Sequence, residues 1–133
     1  MFKWFGHIGI AAKDPESLCK WYCDVLGFKV IFEIPETERR PVPIYFIQFK
    51  TKTTIEIIPA SDEEKIKRET NDPGFSHIGI PVDDFDEAAE YLKSKGITLR
   101  NVRQTGLGWK IGYFDDPEGN LIEIVFRSED IPV

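Results

Sequence analysis

Positive charge is in short supply. Seventeen Lys and Arg against 23 Asp and Glu leave the chain at −6, which argues against nucleic acid or an anionic membrane surface as a partner, since both call for a basic patch. The short basic runs Lys65-Ile66-Lys67-Arg68 and Glu38-Arg39-Arg40 sit beside acids and read as solvated faces. Cysteine is nearly absent. Cys19 and Cys23 are four apart on a segment with helical periodicity, a spacing that suits neither a zinc knuckle nor a CxxC redox pair, so they read as reduced thiols on a helix's inner face. No apolar run approaches the ~20 residues that span a bilayer. The chain enters its first strand without the apolar stretch of a secretory signal, and the cytoplasm is the expected compartment. Histidine is as scarce as cysteine, with two copies in 133 residues.

Both copies lie in a repeat. Phe5-Gly6-His7-Ile8-Gly9-Ile10 returns 70 residues later as Phe75-Ser76-His77-Ile78-Gly79-Ile80, and Thr54-Ile55-Glu56-Ile57-Ile58 returns 67 residues later as Leu121-Ile122-Glu123-Ile124-Val125. A repeat of this period means two copies of one supersecondary unit. Each half is too small to bury much surface by itself, so the two are expected to share one core in a single domain.

The local signals assign each half the order β-α-β-β-β. Residues 4–11 read as a strand. Asp14-Pro15-Glu16 opens a helix with an N-cap, a proline in the first turn and an acid beside the helix's positive end, and Gly27 stops it. Strands follow over 28–34, 44–50 and 53–59, with a polar loop over 35–43, read as mobile, and a Thr51-Lys52 turn. Residues 60–73 form a polar linker with room for a short helix. The second half gives a strand over 75–82, a helix capped by Asp84 or Asp86 and running through Lys95 to the stop at Gly96, and strands over 97–104, 109–114 and 121–126. Thr105-Gly106-Leu107-Gly108 reads as a lid or a plain hairpin loop, Asp115-Asp116-Pro117-Glu118-Gly119-Asn120 as a turn, and 128–133 as a loose tail.

Alternation along a strand puts His7 on one face with Gly9, and His77 with Gly79. Glu56 and Glu123 each interrupt an apolar run, where a bare carboxylate is costly to desolvate unless it is paired or bound to a cation. Two imidazoles and two carboxylates at equivalent repeat positions are a mixed N/O donor set for one divalent metal. Without thiolates it is not a structural zinc site, and it suits Ni, Co, Zn, Mn, Fe or Mg alike.

The motifs His7-Ile8-Gly9-Ile10, Trp21-Tyr22-Cys23-Asp24-Val25-Leu26-Gly27-Phe28, Phe75-Ser76-His77-Ile78-Gly79-Ile80 and Phe114-Asp115-Asp116-Pro117-Glu118-Gly119-Asn120-Leu121-Ile122-Glu123 together resemble the vicinal oxygen chelate superfamily, the glyoxalase I, bleomycin-resistance and dioxygenase fold. The resemblance runs from Phe5 to about Arg127. It implies an α+β fold in which two βαβββ modules form a cup-shaped, half-open mixed barrel with the helices outside. It also implies metal ligands at His7, Glu56, His77 and Glu123, and a homodimer acting on a small molecule. A His/Glu/His/Glu set is similar to that of bacterial glyoxalase I, which implies a metal-dependent lyase or isomerase working through proton abstraction alpha to a carbonyl and a stabilised enediolate. Glu123 would be the base and Glu56 the second carboxylate.

The alternatives within the resemblance are an epimerase of the methylmalonyl-CoA type, a small-molecule-binding resistance protein and, last, an extradiol dioxygenase. Glyoxalase I carries an Arg four residues after the first His and an Asn four after the first Glu, both holding glutathione. Ala11 and Ala60 stand there in this chain, which argues against glutathione. Phe46, Arg103, Trp109, Lys110 and Tyr113 are the candidates for contacting substrate. Arg39 and Arg40 are further candidate anion binders, and Phe5, Phe75 and Tyr45 further wall residues.

Overall fold

The structure is a computed structural model, and it describes residues 1–50 and 52–128. Thr51 of the expected Thr51-Lys52 turn, and all of the expected tail but Ser128, lie outside the described residues. The elements are β1 (Ile8–Ala12), α1 (Pro15–Leu26), β2 (Lys29–Ile34), β3 (Ile44–Gln48), β4 (Thr54–Pro59), β5 (Ile78–Pro81), α2 (Phe85–Ser94), β6 (Arg100–Gln104), β7 (Lys110–Asp115) and β8 (Leu121–Phe126). They form two open four-stranded sheets, in the orders β1-β4-β3-β2 and β5-β8-β7-β6. The fold is therefore α+β with two βαβββ modules. The chain divides into two compact units, Met1–Lys65 and Ile66–Val133.

The first helix starts and stops where its sequence says, and the second ends at Ser94, one residue short of the expected Lys95. Asp14 accepts a hydrogen bond from Ser17 N at 3.0 Å and from Ser17 Oγ at 2.7 Å, and Asp84, not Asp86, caps α2 by accepting from Glu87 N at 2.9 Å. Gly27 ends α1 in the left-handed region, at φ 78°, where a side chain would be strained.

In the first module α1 buries Leu18, Cys19 and Tyr22. Ile10, Ala12, Ile47, Ile55 and Ile57 make up the buried side of the sheet, each isoleucine contributing about 1.5–3 kcal/mol. Tyr22 packs edge-on to Phe28 with 5.4 Å between ring centres. In the second module Phe85 and Leu92 of α2 are buried, as are Phe114, Ile122 and Ile124 on the sheet face opposite Glu123.

Parallel pairing joins the first and last strands of each module, Ile8 opposite Ile55 and Ile78 opposite Ile122. Both histidines were expected inside strands, and both lie one residue before them. The ladders begin at Ile8 opposite Ile55 and at Ile78 opposite Ile122, one residue inside each partner strand. Each second strand carries one extra residue, between Val30 and Phe32 in β2 and between Arg100 and Arg103 in β6. The second of these bulges places Asn101 at φ 53°.

One expectation about loops is corrected. The linker over 60–73 holds no helix: its one large apolar residue between Ala60 and Asp72, Ile66, is 80% exposed, so there is no stripe to pack a helix against. The 35–43 loop is bonded to itself. The Arg40 guanidinium donates to Val42 O and, at 2.7 Å, to Pro35 O, while Thr37 and Arg40 exchange backbone bonds of 2.7 and 3.1 Å. Among the described residues, no helix is long and apolar enough to cross a membrane.

Candidate metal centre

The register of each sheet builds a half-site. Glu56 on β4 stands between Gly9 on β1 and Phe46 on β3. Glu123 on β8 stands between Gly79 on β5 and Tyr113 on β7. Both carboxylates point to the face away from their module's helix, because the neighbouring residues Ile55, Ile57, Ile122 and Ile124 are committed to the core. A Cβ placed on Gly9 would lie 3.9 Å from Glu56 Oε2, and one on Gly79 3.9 Å from Glu123 Oε1. The glycines thus leave each carboxylate uncovered on its own face.

The histidine preceding each first strand reaches its module's carboxylate. His7 Nε2 lies 3.2 Å from Glu56 Oε2, and His77 Nε2 lies 3.6 Å from Glu123 Oε2. Within a module, among the described residues, no third His, Cys, Asp or Glu joins the pair. Each imidazole also meets the ring opposite its glutamate edge-on, His7 against Phe46 and His77 against Tyr113, with 5.6 Å between centres in both cases. The second pair is the more enclosed: the side chains of His77 and Glu123 are 29% and 15% exposed, those of His7 and Glu56 46% and 24%.

The second half-site has further supports. Ser76 Oγ donates to Thr70 O at 2.7 Å and lies 2.8 Å from His77 Nδ1. With its proton so used, the hydroxyl is placed to accept from Nδ1–H, which leaves Nε2 as the nitrogen facing Glu123. At 3.6 Å, Nε2 and Glu123 Oε2 lie beyond direct hydrogen-bonding distance. A cation held between the two atoms would join them. Ligand bonds of about 2.1 Å at tetrahedral to right angles put donors roughly 3.0–3.4 Å apart, close to both observed spacings. The Tyr113 hydroxyl donates to Glu123 Oε2 at 2.6 Å. Burial, then that bond to the carboxylate, raises the phenol above its ordinary range, so it stays protonated and donating at neutral pH.

The other sequence candidates divide by face. Arg103 lies over Tyr113, its Cζ 5.9 Å from the ring centre. Trp109 packs with Ile111, Tyr113 and Val125 on the Glu123 side of the sheet. Lys110 does not reach this face: alternation turns it toward α2, where its Nζ meets Asp86 Oδ1 at 2.7 Å and stands 4.7 Å from the Phe85 ring centre. Tyr45 is likewise opposite Ile57, on the helix side of its sheet. Phe5 and Phe75 precede the strands and are 83% and 93% exposed. The Arg40 guanidinium is spent on its own loop.

Sequence reading missed Ser76 and the service of Tyr113 to Glu123. The second was within reach, since Phe46 and Tyr113 occupy matching places, each ten residues before its glutamate.

The chain matches the model of the Glyoxalase/Bleomycin resistance protein/Dioxygenase superfamily over residues 4–124. A lactoylglutathione lyase of Schizosaccharomyces pombe is 28% identical over 146 residues, covering 95% of this chain and 48% of that protein, so the chain spans about half of this relative's length. A glyoxalase family protein from Enterococcus faecalis shares the fold with a TM-score of 0.76 at 24% identity, over 93% of this chain and 98% of that one. The fosfomycin resistance protein FosX from Listeria monocytogenes, crystallised with Mn(II) and sulfate, shares it with a TM-score of 0.71 at 17% identity, over 96% and 95%. With its family model matched from Trp4 to Ile124, the chain belongs to the glyoxalase/bleomycin resistance protein/dioxygenase superfamily.

Proposed function

We propose that this protein is a divalent-metal-dependent lyase or isomerase of the glyoxalase type, a cytoplasmic homodimer that moves a proton on the carbon alpha to the carbonyl of a small molecule. Members of the superfamily commonly bind a divalent metal, act on small molecules and often form dimers. The observation that carries the reading is the imidazole–carboxylate pair repeated in both modules, with Nε2 of each histidine turned to its glutamate.

His7, Glu56, His77 and Glu123 are the residues that would hold the ion, and the Mn(II) of FosX is a precedent on the same fold. When bound, the ion supplies a Lewis acid for the substrate's carbonyl oxygen. The proton chemistry falls to the carboxylates. Tyr113 fastens Glu123 by Oε2, which leaves Oε1, uncovered above Gly79, to take the alpha proton and return it to the same or the neighbouring carbon. Phe46 offers Glu56 no such bond, so Glu56 is the freer of the two and the second candidate base. Ala11 and Ala60 in the places of glutathione-holding residues favour a substrate other than a glutathione adduct.

Glu123→Gln keeps the shape and one oxygen but cannot accept a proton. Since general-base catalysis is worth roughly 10²–10⁴-fold, this variant is expected to lose solvent-deuterium exchange into alpha-hydroxy ketones, hemithioacetals or acyl thioesters by that order. It should still bind Mn²⁺ or Ni²⁺ in a calorimetric titration. Near-wild-type exchange by the variant would remove Glu123 from the role.

A further inference from the structure

Two guanidinium groups share the Glu123 face of the second sheet. Arg103 of β6 lies 5.9 Å from the centre of the Tyr113 ring, and Arg127, one residue past β8, lies 4.8 Å from the centre of the Trp109 ring. Tyr113 is opposite Glu123, and Lys110 opposite Phe126 brings Trp109 level with Arg127. The chain has six more acids than bases (23 − 17), so carboxylates are available to any cation. Even so, among the described residues neither guanidinium has a carboxylate partner, whereas Arg100 takes Asp115 and Lys110 takes Asp86. Arg103 reaches Asn101 O, at 3.4 Å, and the Tyr113 hydroxyl, both uncharged groups. Arg127 Nε is buried with no acceptor among the described residues.

A buried donor without an acceptor is destabilising, more so when charged, and among the described residues the arrangement has room for an added acceptor. The guanidinium presents a planar, pre-organised fork of N–H donors, more than those one or two contacts occupy. That fork fits the two oxygens of a carboxylate or phosphate.

We propose that Arg103 and Arg127 form an oxyanion-binding rim beside Glu123, and that the substrate is a small carbonyl compound carrying a carboxylate or a phosphate. The proposal rests on Glu123 facing the substrate. Arg103 adjoins the glutamate's own tyrosine, and Arg127 is four residues along the strand, roughly 13 Å at strand rise. The two therefore bracket an anionic group a few bonds from the reacting carbonyl.

The test uses the full chain, ¹⁵N-labelled and freed of metal by dialysis, with the arginine Nε–Hε resonances followed during titration. The probes are lactate, inorganic phosphate and uncharged hydroxyacetone. Saturable shifts of the Arg103 and Arg127 signals with lactate or phosphate, and none with hydroxyacetone, are expected, and the tighter of the two anions assigns carboxylate or phosphate. Arg103→Gln and Arg127→Gln should each weaken that binding about tenfold. Lys95→Gln, which removes an exposed cation at the end of α2, should leave it unchanged. If Arg127→Gln fails to fold, Arg127→Lys keeps the charge without the fork and should still weaken binding several-fold. Absence of saturable shifts at both arginines, or equal affinity in the double Gln variant, overturns the rim. No reaction takes place in this titration, so oxyanion binding can stand while deuterium exchange fails, and the reverse.

Discussion

At the scale of single residues, matching places in the two modules carry different chemistry. Phe46 and Tyr113 stand opposite Glu56 and Glu123 in the same register, yet only the tyrosine donates a hydrogen bond to its glutamate. One hydroxyl thus distinguishes two carboxylates that the repeat made equivalent. Elsewhere, burial and then the neighbouring Cys23 push the Cys19 thiol from 9.0 up to about 12, and Tyr113 is also raised. Both groups hold their protons more firmly folded than unfolded. The unfolded chain therefore gives up protons first as pH rises, and stability is complete below about pH 9 and falls as pH climbs toward the folded-state value. Urea unfolding at about pH 8 and about pH 10 should give a lower midpoint in the more alkaline buffer, with a smaller difference in Cys19→Ala. Equal midpoints for the wild type at the two pH values would contradict this account.

At the scale of elements, the turn before β8 is tied by one buried carboxylate. Asp116 is 4% exposed and accepts from Glu118 N and Asn120 N at 2.9 Å through Oδ1, and from Asn120 Nδ2 at 2.8 Å through Oδ2. Asp14 does the simpler work of an exposed cap. Asp14→Ala should cost about 1 kcal/mol, and Asp116→Ala about 2–4 kcal/mol, since it leaves two backbone donors without their acceptor. Chemical denaturation of the two variants checks the order, and a smaller loss for Asp116→Ala would sink it. Both aspartates lie in motifs readable from the chain, Asp14-Pro15 and Asp115-Asp116-Pro117-Glu118-Gly119-Asn120. The bulges in β2 and β6 were not readable, because an extra residue in a strand shows itself only against the register of its partner.

At the scale of the whole molecule, the reading requires the two half-sites to act as one. If four ligands share an ion, loss of either pair abolishes binding; if each pair works alone, the other survives. A metal present at about 100 times its dissociation constant stabilises the folded state by about 2.7 kcal/mol. Adding Mn²⁺ or Ni²⁺ to the metal-free protein is therefore expected to raise its melting temperature by several degrees. Both His7→Ala/Glu56→Ala and His77→Ala/Glu123→Ala should lose the whole rise, as followed by circular dichroism. Half the rise retained in either double variant would show two separate sites.

The amino-acid sequence by itself determined the module order, the helix ends and the four polar positions. Those depend on local rules: a capping aspartate, a left-handed glycine, and a His and a Glu recurring inside apolar runs. Tertiary structure alone decided which face each candidate serves. Lys110 and Tyr113 are three apart on one strand, and the pleat sends the lysine to Asp86 at the helix and the tyrosine to Glu123. It also decided that Ser76 turns His77 toward its glutamate and that Arg127 lies against Trp109. The pairings of Lys110 with Asp86 and of Arg127 with Trp109 join residues brought near by strand register and chain reversal, and no spacing along the chain encodes them.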